Sequence, residues 1–552
     1  MPYPRSIFCC IVLLSLVFTA GRSGFDINTV ADIIGTDSYL RFLTLDKLLQ
    51  GANWYDHLIE RTNWPHGLKH HWTRPVDLLM LPFASIMPML KASIIYQFTL
   101  LLAFTWAMAL TTVRLGGTLQ NLVLPCILLA IYCNPYILSY FAPGRVDHHA
   151  LLATLCIWVL YNLLTERIRT AGILAGLGVW VSIEFFAPLF FASLWLGVCW
   201  LQHPEHYHKV PRRFFTLMLC SMALGILMER PALQFTSVII DSLSWPHFVM
   251  ITLTCIAATL LSLQAAWQCS LLWRGIKAGL LAVAIFLLTF LGFPELLELS
   301  LVTMTDPLLV EHFGNNIGEL KSPIEAGYNI SPFIPLLLAL PLAFMRMRKE
   351  HWPLAPLSLI FMTIGMHVLF FDALRWAYYA VPSALLLLAY GLSDTKWEDR
   401  RIGRMLIIFA VIILPLALIT AKGTEEKKRR AHPCNTEMTA LIRDNLLGDK
   451  PLTLAINANR GYEVLFFTPH RILSANNHRN VDGLGDLLRI FYSNNPALAK
   501  EIIRKRKIDR VIACPNYIRK NSYLNNAHSW LSPHPLGEAI QTIKVWDVKF
   551  PE

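Results

Sequence analysis

Six polar residues, Gly144-Arg145-Val146-Asp147-His148-His149, stand between two long apolar runs, NLVLPCILLAIYCNPYILSYF and ALLATLCIWVLYNLL. A carboxylate and imidazoles at the edge of a bilayer are costly unless they bind something. Asp with His can hold a divalent metal. Four further features could share that chemistry: Asp37 and Arg41 in GTDSYLRF, Ser322-Pro323-Ile324-Glu325, Arg375 in FFDALRWAYYAVP, and Glu184 in VSIEFFAPLF.

Each has a bland explanation when taken singly. Asp37 and Arg41 have the spacing of an i,i+4 ion pair on a helix. Asp147 suits an N-cap, Ser322 with Glu325 a capping box, and Arg375 could snorkel to the interface. Glu184 interrupts an apolar stretch from 171 to 201 and marks a tight turn between helices. No single explanation accounts for acids and an Arg gathered on one side of the membrane. Asp37, Asp147 and Glu325, with His149 as a further donor, suit Mg²⁺ or Mn²⁺, the imidazole favouring Mn²⁺. A metal and an Arg together hold and neutralise a phosphate or pyrophosphate leaving group. Arg145 and His148 acquire no role from the sequence.

The elements that must position these residues are membrane helices. The chain is 55% hydrophobic and 15% charged over 552 residues, outside the range of ordinary soluble domains. Apolar runs able to cross a bilayer fall near 5–21, 94–113, 120–139, 149–164, 169–183, 185–201, 214–229, 246–266, 276–295, 331–345, 353–371, 376–392 and 404–421. The fold class is therefore a polytopic α-helical membrane protein of about thirteen transmembrane helices. The first run, after Arg5, reads as a retained helix rather than a cleaved signal peptide.

Alternate loops carry Arg5, Arg114, Arg167 with Arg169, Arg212 with Arg213, Arg274 with Lys277, Arg346 with Arg348, and Lys396 to Arg404. The positive-inside rule makes these cytoplasmic. The net charge of +11 is then mostly topogenic, and no nucleic-acid partner is expected. The other face carries residues 22–93, the 140–148 loop, 296–330, 372–375 and everything after 421, with KGTEEKKRR at 422–430 an exception to the rule.

Residues 1–421 thus read as a membrane domain with two long outer loops, 22–93 and 296–330, and 422–552 as an outer domain. In the latter TLAINA, HRILSA, RVIACP and TIKVWDVKF read as strands, and DGLGDLLRIFYS and NPALAKEIIRKRK as helices. That alternation predicts a small α/β domain. Cys434 and Cys514 are the two cysteines of this domain, able to pair in an oxidising compartment if the fold brings them together.

The ordered set of motifs resembles the catalytic subunit of oligosaccharyltransferase, within the C-type superfamily of membrane glycosyltransferases. Asp37 matches the catalytic Asp of the first outer loop, and Asp147 with His149 the D-x-[D/E/H] motif. Ser322 with Glu325 matches the S/T-x-x-E motif, Arg375 the Arg that contacts donor phosphates, and NWPHG at 63–67 a W-P-x-G segment. The resemblance implies catalytic and metal-binding roles for Asp37, Asp147 and Glu325. It also implies attack by an acceptor on the anomeric carbon of a polyprenyl-linked sugar, with inversion. One departure stands out. In place of the W-W-D-Y-G motif that reads Asn-x-Ser/Thr acceptors, the chain has Asn457-Ala458-Asn459-Arg460-Gly461-Tyr462.

The sequence therefore points to a glycosyltransferase using a polyprenyl-phosphate or polyprenyl-diphosphate sugar donor. Its acceptor is a glycan, lipid or protein, and its cofactor Mn²⁺ or Mg²⁺. Arg375 would bind phosphate, with Arg41, His66, His70, His71, Arg74 and Glu184 as accessory candidates. The expected location is the bacterial inner membrane, with the active site and C-terminus periplasmic. A transporter or flippase of lipid-linked sugars would instead place its acids near the bilayer midplane and show a repeat between halves. A non-catalytic scaffold would tolerate Asp37→Ala and Asp147→Ala.

Overall fold

The structure is a computed structural model that describes residues 4–23, 35–118, 122–297, 306–312, 318–325, 333–351, 353–393, 410, 433–515, 518, 522–526, 528–536 and 540–550. These fall into two compact units. One is drawn from Met1–Ile33, Trp72–Glu298 and Gly318–Thr420, the other from Ile34–His71, Leu299–Ile317 and Ala421–Glu552.

The first unit is helical. Twelve of the thirteen expected spans coincide with helices; the run at 404–421 lies outside the described residues apart from position 410. Among the described residues five helices are long and apolar enough to cross a membrane, including Met89–Arg114 and Leu271–Gly292. Helices suit this setting because they satisfy every backbone N–H and C=O internally. The expected span 120–139 is broken. Val123–Cys133 stops at Asn134, whose side chain accepts from Ile137 N–H to start the short helix Pro135–Leu138. The break follows from Pro135, which lacks a donor and forces its predecessor into an extended conformation.

The most intimate pairing joins Ile168–Val181 to Val210–Glu229. Gly172 and Gly176, one helical turn apart, let the backbones approach. A Cβ on Gly172 would lie 2.4 Å from the Phe214 carbonyl oxygen, and one on Gly176 2.5 Å from that of Met218. Small residues replace hydrophobic drive as the means of association where the solvent is lipid.

Among the described residues the second unit is built on a five-stranded sheet. The hairpin strands β1 (Leu58–Ile59) and β2 (Leu68–Lys69) precede it in the chain. The sheet comprises β3 (Thr453–Ala455), β4 (Arg471–Ile472), β5 (Arg510–Ala513), β6 (Leu531–Pro533) and β7 (Lys544–Val548), in the order β4-β3-β5-β7-β6. β4, β3 and β5 run parallel, with Leu454 opposite Ile472 and Arg510. β7 is antiparallel to β5 and β6. β6 carries no sequence signal, being three residues with a proline at an edge.

Helices Val481–Tyr492 and Pro496–Lys505 bury Leu484, Leu487, Ile490 and Phe491, and Ala499, Ile502 and Ile503. That is the i, i+3, i+4, i+7 stripe that covers a sheet face. Asn495 caps the second helix by accepting from Ala497 and Leu498 N–H, with Pro496 at its first position.

Part of the first loop is built into this unit. Ile472 N–H donates to Arg61 C=O and Trp64 N–H to Ile472 C=O, so the chain at 61–64 covers the β4 edge. The Arg61 guanidinium donates to the carbonyls of Leu465, Thr468 and His470, and Arg471 lies 4.2 Å over the Trp64 ring. Cys434 and Cys514 are joined as a disulfide with Cα atoms 5.9 Å apart.

Candidate active site

Three helix junctions of the first unit bring their polar residues together. At the first, Ala142-Pro143-Gly144-Arg145 makes a turn in which Arg145 N–H donates to Ala142 C=O and Gly144 takes φ 85°. Proline second and glycine third is what such a turn requires. The chain then enters helix His149–Leu164 through Asp147. At the second junction, Glu184 sits in the single 3-10 turn Ile183–Phe185, started by Ser182 Oγ accepting from Glu184 N–H. At the third, Arg375 occupies the 3-10 turn Leu374–Trp376, whose Leu374 N–H donates to Lys321 C=O, and Tyr378 lies in the next helix.

Asp147 is buried, 3% exposed. Its Oδ2 accepts from Arg145 Nε at 2.6 Å, and its Oδ1 from His149 N–H at 3.0 Å, with His149 Nδ1 3.2 Å away. The cap-like bond and the charged contact therefore coexist. Burial alone would raise this carboxyl, but Arg145 and the two imidazoles outweigh burial and hold it well below the usual carboxylate range. Arg145 also lies 4.7 Å over the Tyr140 ring.

Glu184 is the hub. Arg375 Nη2 donates to its Oε1 and Tyr378 Oη to its Oε2 at 2.8 Å. Glu184 Oε1 and Oε2 lie 3.9 Å from His148 Nε2 and His149 Nε2 respectively. One ligand atom from each of His148, His149 and Glu184 falls within 4.8 Å of the other two. The imidazoles stack at 4.3 Å between centroids, and the His149 ring lies 5.0 Å from that of Tyr378. His149 is buried and its Nε2 makes no hydrogen bond, which leaves that nitrogen available to a ligand. Two imidazoles and a carboxylate fit a borderline cation such as Zn²⁺ better than Mg²⁺, with Mn²⁺ between the two.

The other residues singled out from sequence are distributed differently. Glu325 is exposed and closes a reciprocal pair with Ser322: Ser322 N–H donates to its carboxylate and Glu325 N–H to Ser322 Oγ. It is not among the ligands that converge on Glu184. Arg74 is fully buried at the start of helix Pro75–Ala84, with its guanidinium 2.9 Å from Asp77. Its backbone N–H and Trp180 Nε1 share one oxygen of Glu229. This is a core ion cluster rather than a displayed cation.

Asp37, Arg41, His66, His70 and His71 belong to the second unit. Asp37 lies in the first turn of helix Thr36–Leu49, where its charge favours the helix dipole. Tyr39 and Phe42 of that helix pack on Phe466 at 5.5 Å, and Asp37's charge reaches Tyr462. Arg41 is buried. His66 is exposed on the turn closing the β1–β2 hairpin, His70 is buried 5.0 Å from the His57 ring, and His71 lies 4.3 Å from the His478 ring. Sequence reading named Arg145 and His148 in the polar stretch but gave them no role, and it did not single out Tyr378.

No protein-family model and no curated protein sequence matches the chain. Solved structures do. The apo oligosaccharyltransferase of Archaeoglobus fulgidus matches with a TM-score of 0.68 at 14% identity, over 92% of this chain and 69% of that one. The same archaeon's oligosaccharyltransferase AglB, with an inhibitory peptide and a dolichol-phosphate, matches with a TM-score of 0.66 at 14% identity over the same shares. Its complex with Zn and sulfate matches with a TM-score of 0.62 at 15% identity, over 92% of this chain and 68% of that one. The chain thus shares the fold of the Archaeoglobus fulgidus oligosaccharyltransferase, and its sequence has no W-W-D-Y-G motif.

Proposed function

We propose that the chain is a membrane glycosyltransferase that moves a sugar or oligosaccharide from a polyprenyl-phosphate or polyprenyl-diphosphate donor to an acceptor on the outer face of the membrane. The observation that carries this reading is Arg375 set beside Tyr378, two imidazoles and two carboxylates at the junctions of apolar helices. The dolichol-phosphate of one structural neighbour is in keeping with such a donor.

Arg375 would grip phosphate oxygens through paired N–H groups, and Tyr378 would add a hydroxyl donor. Arg145 keeps Asp147 ionised and oriented. His148, His149 and Glu184 would hold a divalent cation, with Asp147 orienting His149 through its backbone N–H and Nδ1. When bound, the cation would supply positive charge that neutralises the departing phosphate. The acceptor's nucleophilic atom bonds to the anomeric carbon as the carbon–oxygen bond to phosphate breaks, and the acceptor's proton passes to a carboxylate. Asp37 keeps the catalytic role the resemblance implies.

The acceptor differs from an Asn-x-Ser/Thr site in this reading. Where the family has two tryptophans and an aspartate, Asn457 caps a 3-10 turn through Asn459 N–H, and exposed Asn459 accepts from the Asn476 amide. Amides that both donate and accept suit a glycan's hydroxyls.

The test is transfer from labelled polyprenyl-linked sugars by the purified protein, with and without EDTA, in wild type and in Asp147→Ala and Asp37→Ala. Loss of about 100-fold or more is expected for each variant and for chelation. Transfer that survives both EDTA and Asp147→Ala would refute the proposal.

A further inference from the structure

Glu184 is the only acid in the apolar stretch from 171 to 201, and both of its oxygens are engaged. One receives Arg375 and the other Tyr378. These are the donors that a phosphate would use if the proposed function holds, and this inference rests on that reading. The Arg375 fork is half used. Nη2 donates to Glu184, while Nε is buried and makes no hydrogen bond. A guanidinium engaged through one edge atom has room for a tetrahedral oxyanion that takes two parallel N–H groups.

Glu184 also has somewhere to go. Its oxygens lie 3.9 Å from Nε2 of His148 and of His149, so leaving Arg375 does not strand its charge. The Arg375 and Glu184 side chains are 20% and 16% exposed, against 4% for Asp147. Arg145 is itself 30% exposed, so it is the acids that differ: Glu184 is the carboxylate within a ligand's reach.

We infer that Glu184 is an anionic placeholder: in the empty enzyme it occupies the position on Arg375 and Tyr378 that a phosphate or diphosphate group takes, and the arriving group displaces it towards His148 and His149. Glu184 is thereby a positioning residue. It keeps a cationic pocket closed and ordered at the membrane edge, and it makes phosphate affinity depend on the release of one carboxylate.

The test measures binding of polyprenyl phosphate and, separately, of inorganic pyrophosphate to the full-length protein in detergent. EDTA is present throughout, so that no metal bridges the phosphate. Glu184→Gln keeps the shape and removes the charge. It should bind phosphate about tenfold more tightly than wild type, because a competing charge next to the site is gone. Arg375→Gln should lose binding in either background. Melting curves accompany each variant, and Glu184→Ala serves the same comparison if Glu184→Gln does not fold.

Tightening with both probes supports the placeholder. Tightening with the lipid phosphate alone also supports it and assigns the position to a lipid-borne group. Unchanged or weaker binding in Glu184→Gln, with binding still lost in Arg375→Gln, overturns the placeholder and leaves the phosphate role of Arg375 standing. Undiminished binding in Arg375→Gln overturns both.

Discussion

Replacing Cys434 and Cys514 together by Ala tests at once how the second unit is held and which compartment it occupies. The bridge closes a loop of 80 residues from helix Pro433–Arg443 to the end of β5. That loop contains β3, β4 and β5 and the two amphipathic helices. For a loop of that length the chain-entropy relation gives about 4.5 kcal/mol at 25 °C. Both cysteines are buried, 1% and 4% exposed, so Ala leaves only a small deficit of packing. The unit comprises about 190 residues, for which the melting entropy is about 0.4 kcal/mol/K, and the expected fall in Tm is about 11 °C.

The assay is limited proteolysis of the full-length protein across a temperature series, tracking cleavage between 433 and 550. Counting thiols by mass-tagging denatured, unreduced protein from intact cells gives an independent readout. Nine reactive cysteines are expected, rising to eleven after reduction. Eleven before reduction would show that the unit never meets an oxidising compartment, and the outer placement read from the charged loops would fall with the disulfide.

Two further predictions address the membrane unit. Gly176→Leu drives a side chain into the Met218 carbonyl and Ser221; it should destabilise by about 3 kcal/mol or more and lower the melting temperature in detergent. Gly197→Ala, where a Cβ meets nothing within 4 Å, should leave it unchanged. Asp147 has a folded pKa below its unfolded value, so its pairing contributes stability above about pH 4 that is lost as pH falls from there towards the folded value. The gap in melting temperature between wild type and Asp147→Asn should therefore be constant from about pH 5 to 8 and shrink below about pH 4, and any acid limb in transfer above pH 5 should persist in whatever activity the variant retains.

The helices were legible because a span announces itself by length and composition, whatever it packs against. The break within one of them was legible only in part. Pro135 stood in plain view, yet an apolar run containing one proline can kink or stop, and the outcome here turns on Asn134, which caps the short helix Pro135–Leu138. The parallel strands β3, β4 and β5 were readable from their β-branched and apolar cores, whereas β6 depends on pairing with β7 and has no pattern of its own. That residues 34–71 belong with 421–552 was not readable at all. It rests on backbone bonds between Arg61, Trp64 and Ile472, contacts that span some 400 positions and leave no local trace.

The site divides along the same line. Residue type identifies Asp147, His149, Glu184 and Arg375 as able to do chemistry, but which partner each carboxylate takes is a matter of geometry. Glu325 turns to its own Ser322, as the capping-box spacing allows. Asp147 takes Arg145, two positions earlier on a turn rather than on a helix face. Glu184 takes Arg375, 191 positions later. Both acids of the cluster are thus closed into pairs with guanidinium groups, while His149 Nε2 has no hydrogen bond. If the proposed function holds, binding of an anionic donor at these guanidinium groups opens one of those pairs. Asp147 is held by Arg145, by the His149 backbone N–H and by an imidazole, and is almost wholly buried. Glu184 is more exposed and sits within 4 Å of two imidazoles able to receive it. The more exposed of the two acids, with two imidazoles within 4 Å, is the one that the proposed phosphate would displace.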